Sequence, residues 1–368
     1  MRYLDIVKGL DKELPEEPNP LYVRNSMRIE LRKSARPSID EMQNFAKENR
    51  LAFDIITNGS EFIVNRVSNA NIEVHSIEDE LTYEFKTKAE SRYIGFTMGN
   101  VEKFLLLSVE RRNKARLRLL MGGEGLLVIA KAYEDAELSL EEFLYGDNSI
   151  INEINAEKRS KVGLDIIQLS NKRSLNFYNA NLGEGSELNV NNFTSNREAK
   201  SRNKVIVNAG SKVMINNIII GKNSIVDTAD LVNSKGPETK SFIEANAIGS
   251  YGSTISIKEN SSIEKGAYRS ESVISTKGIN LDDSKIEAIP SMGTEENDVK
   301  ASHAAAVSPI STEAIEYLMS RGISKNDSKK LILMGMLDKH IMKFSSNEYL
   351  KTKIDSMLNE LLGVLNAS

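Results

Sequence analysis

The 368-residue chain has no cysteine and no tryptophan, and it carries only three histidines and seven prolines. Without cysteine, this chain cannot supply disulfides, thiolate zinc sites, nucleophilic thiols or cysteine ligands to an iron–sulfur cluster. With aromatics at 6%, it has little to offer as a stacking platform for sugars or bases. Lys and Arg total 48 against 52 Asp and Glu, a net charge of −4, so the basic excess of a nucleic-acid binder is missing. No apolar run approaches the ~20 residues that span a bilayer; the longest are short stretches such as Phe104–Val109 and Leu331–Leu337. The opening residues Met1-Arg2-Tyr3-Leu4-Asp5 lack the continuous apolar segment of a secretory signal, and a cytoplasmic location is the expectation. Nucleotide loops are missing too. Gly221-Lys222-Asn223 has neither the earlier Gly nor the Ser/Thr of a P-loop, and Gly122-Gly123-Glu124-Gly125 is an isolated glycine turn.

What is present divides into three textures. Residues 1–94 read as a small α+β region. Pro15, Pro18 and Pro20 break any early helix and mark an extended linker. Ser38-Ile39-Asp40-Glu41 is a capping-box pattern that opens a helix to about Arg50, with Met42, Phe45 and Ala46 on one face. Ala52–Thr57 and Glu61–Val67 are strand-like and flank Asn58-Gly59, a two-residue hairpin signal. Ile72–Ile77 and Leu81–Lys86 are further strand candidates.

From about residue 95 to Met292, short β-branched runs alternate with Gly/Asn/Ser turns such as Gly183–Ser186, Asn208–Ser211 and Gly221–Ser224. Only Ala136–Leu144 reads as helical here. Ser186, Ser211, Ser224 and Ser262 lie at intervals near multiples of about a dozen residues, within the range of β-solenoid repeats. Stacked rungs that turn at similar places explain the pattern, and a right-handed parallel β-helix is predicted for residues 95–292. A β-sandwich is the alternative.

Residues 293–368 are predicted to form a helical domain. Ser311 caps a helix that ends at Gly322, Ser324 with Asp327 opens a second through about Phe344, and a third runs from Glu348 to Leu365.

The stretch Asp298-Val299-Lys300-Ala301-Ser302-His303-Ala304-Ala305-Ala306-Val307 resembles the signature of the SufB/SufD family. Tyr317-Leu318-Met319-Ser320-Arg321-Gly322-Ile323-Ser324 resembles the helix–turn–helix that follows it in that family, and Ile286-Glu287-Ala288-Ile289-Pro290 the segment closing the β-helix. The resemblance implies a non-catalytic scaffold subunit of the SUF iron–sulfur cluster assembly complex. It implies pairing with a SufB-type subunit through the β-helices and docking of the SufC ATPase on the C-terminal helices. In the family the signature segment leaves the β-helix just before those helices. Ala301 stands where many members have Cys, so with no thiol the chain resembles SufD rather than SufB. A homodimer of this chain acting without a separate SufB-type partner remains open, as does a β-helix carbohydrate-active enzyme.

Several residues follow as candidates. His303 could ligate iron or move a proton near neutral pH, with Ser302, Asp298 and Glu287 beside it at a cluster-assembly interface. A buried, turn-ordering histidine is the structural alternative. Tyr317, Met319, Arg321 and Gly322 sit where the family docks its ATPase, and Leu318 is expected in the core. No cofactor is expected to stay bound to the lone chain; a nascent iron–sulfur cluster would sit between subunits. His75 in a strand and His340 on an exposed helix face read as ordinary surface residues.

Overall fold

A computed structural model describes residues 27–363, apart from positions 32, 66, 68, 80–86, 88–90 and 169–171. The proline linker and the strand expected at Leu81–Lys86 lie outside the described residues, as does Leu365.

The N-terminal helix α1 spans Ile39–Glu48, and its start is the capping box: the Ser38 hydroxyl accepts from the Glu41 amide while the Glu41 carboxylate accepts from the Ser38 amide. Strands β1 (Ile55–Thr57) and β2 (Phe62–Val64) pair antiparallel as the expected hairpin, but the Asn58 amide donates to the Glu61 carbonyl, so the turn is centred on Gly59-Ser60 rather than Asn58-Gly59. Then come β3 (Asn71–Ser76), helix α2 (Arg92–Gly99) and β4 (Lys103–Val109), with β3 antiparallel to β4.

The parallel solenoid of about eight turns is built from β5 (Lys114–Ala132), β6 (Glu137–Ala156), β7 (Lys161–Gln168), β8 (Arg173–Leu182), β9 (Glu187–Thr194), β10 (Glu198–Val207), β11 (Lys212–Lys222), β12 (Ile225–Ser234), β13 (Lys240–Ser250), β14 (Thr254–Ile263), β15 (Ser270–Asn280), β16 (Lys285–Thr294) and β17 (Val299–Ser308). Odd strands from β7 to β17 pair in sequence on one face, and even strands from β8 to β16 on the other. The long β6 bends round a corner, its first half pairing with β7 and its second with β8. The dozen-residue interval is therefore half a rung. Ser262 lies inside β14 rather than at a turn.

Each turn places one residue in the left-handed region at a shared corner: Asp135, Arg159, Gly185, Gly210, Glu238 and Arg269. Its amide donates to a carbonyl of the following rung, as from Arg159 to Glu184 and from Gly210 to Pro237. Corners thus stack as the strands do, and buried backbone groups stay paired.

The segment expected to be helical, Ala136–Leu144, is strand instead. Leu138 and Leu140 alternate with polar residues as a strand requires, but Glu141, Glu142, Phe143 and Leu144 are all buried. Phe143 packs under the C-terminal helices while Glu142 faces inward, so both faces are covered and the period of two disappears.

The solenoid also continues past Met292, through β16 and β17 to Ser308. The family-like segment Val299–Val307 does not leave the β-helix; it is the last rung. Its alanines favour helix in isolation, but ten in-register partners in β15, from Ser270 to Ile279, hold it extended.

Three helices follow: α3 (Thr312–Ser320), α4 (Lys325–Ile341) and α5 (Asn347–Leu361). Ser311 and Ser324 cap the first two through the amides of Ala314 and Asp327, and Gly322 takes the left-handed position after α3. Leu333, Leu337, Ile341 and Phe344, with Leu350, Ile354 and Leu358 of α5, share one apolar cluster with Phe143, Ile167, Phe193, Ile218 and Ile248 of the solenoid. Burying each such side chain contributes about 1.5–3 kcal/mol, so α4 and α5 are part of the solenoid's core.

Candidate functional site: the open last rung

The two ends of the solenoid differ. At the N-terminal end β2 and β3 fold antiparallel onto β1 and β4. At the other end β16 pairs with β14 and β17 with β15, and no further strand register is formed beyond them among the described residues. Along β17, Lys300 to Ala306 are all exposed. An exposed edge of unpaired backbone groups is a template for another chain.

Register decides which way each signature side chain faces, because parallel in-register strands repeat their orientation from rung to rung. His303 stands over Ile274, Ile243 and Ile215, three buried core residues. It therefore occupies the exposed terminus of an inward-facing column, with Ala301 and Ala305 on either side of it on the same face. Ser302 tops a different column, over Val273, Phe242 and Met214, on the outer surface. Glu287 belongs to the outer face of the other sheet, over Ser256 and Asp227, and its carboxylate is paired with Lys285 at 2.7 Å. The Asp298 carbonyl accepts the amide of Arg269, which continues the stacked corner.

The structure thus puts His303 at the mouth of the solenoid and turns Ser302 and Glu287 away from that column. Among the described residues, no group of three or more histidine, cysteine, aspartate or glutamate side chains is placed to hold a metal ion. The exposure of His303 removes the buried, turn-ordering alternative.

A second surface lies on α3. Of its residues only Ile315 is buried, whereas Tyr317 is 60% and Met319 45% exposed. The Arg321 guanidinium lies 5.4 Å from the Tyr317 ring centre, so the cation and the aromatic form one patch. Gly322 closes the helix beside it, and Leu318, expected in the core, is only half-buried.

His340 overturns its expectation. It is 2% exposed, lies 2.7 Å through Nδ1 from the Asn216 side-chain oxygen, and sits 3.7 Å from Glu244. Burial pushes its pKa down to about 4, so the neutral ring serves as a fastener. Around it, Asn216 donates to the His340 carbonyl, Glu244 binds Lys343, Asn191 donates to the Lys343 carbonyl and Asp165 accepts the Ser345 amide. Asp165, Asn191, Asn216 and Glu244 form one outer column, a polar rail under the α4–α5 connection. The sequence signal for this fastener was the repeat of polar residues at one rung position. His75, by contrast, is a half-buried strand residue stacked on Phe104 and paired with Glu73.

Residues 123–336 match the family model described as SUF system FeS cluster assembly, SufBD core domain. That is more than half of the chain, and the protein belongs to this family. Iron-sulfur cluster assembly SufBD family proteins of Staphylococcus saprophyticus and of Staphylococcus aureus strain USA300 are each 28% identical over 176 residues. The matched stretch covers 47% of this chain and 37% of each relative's length, so the chain matches little more than a third of those proteins. No helix among the described residues is long and apolar enough to cross a membrane.

Proposed function

We propose that this protein is a SufD-like, non-catalytic scaffold subunit of cytoplasmic iron–sulfur cluster assembly. It pairs with a SufB-type subunit through β16 and β17 and docks the SufC ATPase on α3. The open last rung carries the reading, because it joins the family signature, exposed backbone edges and small side chains in one place. Alanines at 301, 304, 305 and 306 let another backbone approach closely. The nascent cluster is cargo at this edge. This chain contributes His303 there and no thiolate, so thiolate ligands come from the partner.

Ala304→Lys with Ala306→Lys tests the pairing. Both positions lie on the exposed edge strand, where lysines oppose strand addition. Copurification of the SufB-type subunit should be lost while the melting temperature of the lone chain is unchanged. Undiminished copurification would place the pairing surface elsewhere.

A further inference from the structure

Behind the last rung, the inward-facing columns change character. Most are built from apolar side chains and small hydroxyl residues, but one runs Asn203, Asp230, Glu259, Pro290, and the facing one runs Asn217, Ala245, Thr276, Ala305. Asp230 and Glu259 are direct register partners in adjacent strands, about 4.8 Å apart along the ladder. Both are buried.

Their surroundings are unequal. Asp230 accepts three donors: the Tyr178 hydroxyl at 3.1 Å, the Asn203 amide at 2.8 Å and the Asn217 amide at 2.7 Å. That set suits an ionised carboxylate. Among the described residues Glu259 receives only the Thr276 hydroxyl, on Oε2, while Oε1 is buried with no hydrogen-bond partner. The Thr276 hydroxyl donates to Oε2, which remains an acceptor when the carboxyl is protonated on Oε1. Among the described residues no cation faces Glu259: β16 offers Pro290, β13 offers Ala245 and β15 offers Thr276. The charge of Asp230 acts on Glu259 and raises it further, and Arg202, on the outer side of β10, acts on Asp230.

We propose that Asp230 and Glu259 hold one proton between them, and that this proton keeps the last rungs closed. Two stacked carboxyls away from water cannot both be charged. Losing the proton puts two like charges inside the solenoid directly beneath Pro290, in the strand that supports β16. Burial then raises Glu259 far above the ordinary carboxylate range. Proton loss at alkaline pH should loosen β14–β17 first, leaving the rungs nearer the antiparallel cap in place. The device belongs to the lone chain and does not rest on the proposed pairing.

Amide hydrogen exchange on the full-length chain, from about pH 7 to about pH 10, tests this. Protection factors, corrected for intrinsic base catalysis, are compared between residues 254–308 and 161–194 of the same sample. The expected result is a loss of protection of about tenfold or more in 254–308 relative to 161–194 as pH rises. Glu259→Gln should abolish that relative loss. Thr276→Val removes the hydrogen bond that lowers the pKa of Glu259, so it should move the onset to higher pH. This near-isosteric variant keeps the test available if Glu259→Gln fails to fold. A pH-independent ratio in the natural protein, an unchanged loss in Glu259→Gln, or an unmoved onset in Thr276→Val overturns the proposal.

Discussion

Tyr317→Ala combined with Met319→Asp should weaken capture of SufC by about 100-fold or more, with the fold intact. Both side chains are exposed and neither belongs to the apolar cluster that seats α4 and α5 on the solenoid. Surface changes of this kind stay within about 0.5 kcal/mol of stability. If the two form the centre of an interface, losing an aromatic anchor and burying an unpaired carboxylate should cost about 3 kcal/mol or more of binding. Titration of immobilised SufC with both forms of the protein reads the ratio directly. Equal affinity would remove α3 as the docking surface. Deleting the helices outright is a poorer experiment, because it would bare Phe143, Phe193, Ile218 and Ile248 and destabilise the solenoid itself.

The second large effect belongs to His303. Its column beneath is aliphatic, and its own side chain is exposed, so His303→Ala should leave folding and subunit pairing nearly intact. Cluster yield per mole of intact complex should nevertheless fall about tenfold or more, the scale on which loss of a metal-site partner acts. His303→Gln keeps a hydrogen-bonding group but titrates no proton, and it should fall equally if the imidazole nitrogen is the ligand. Normal yield per intact complex in both variants would leave His303 without a chemical role.

How far the sequence revealed this differs from element to element. The capping box at Ser38 and the hairpin around Gly59 were legible because each is set by residues within a few positions of one another. The solenoid was legible as a rhythm of turns, but its end was not. Val299–Ser308 carries alanines and no alternation, and what holds it extended is β15, thirty or so residues earlier in the chain. Local composition cannot register such a partner. The same holds for Ala136–Leu144, whose two faces are buried by different neighbours.

The site was legible only in part, for a related reason. A signature segment singled out His303, yet only the rung register separates it from Ser302 and Glu287, which lie close to it in sequence and face other ways. His340 was misplaced because its helix carries polar residues on the side that meets the solenoid. Its partners, Asn216 and Glu244, are polar as well, so the apolar stripe of Leu333, Leu337 and Ile341 beside it did not mark it as buried. Glu142 hides similarly: burial pushes its pKa up to about 8 beside Asn152, in the stretch Ala136–Leu144 that reads as helical.

The central claim, that this chain is a subunit of a larger assembly platform, is tested most directly by mass. Co-expression with SufC and a SufB-type protein, followed by native mass spectrometry of material purified through a tag on this chain, gives the stoichiometry. One species containing this chain, the SufB-type subunit and SufC is the predicted result. A mass corresponding to this chain alone, or to a dimer of it that excludes both other proteins, would contradict the account.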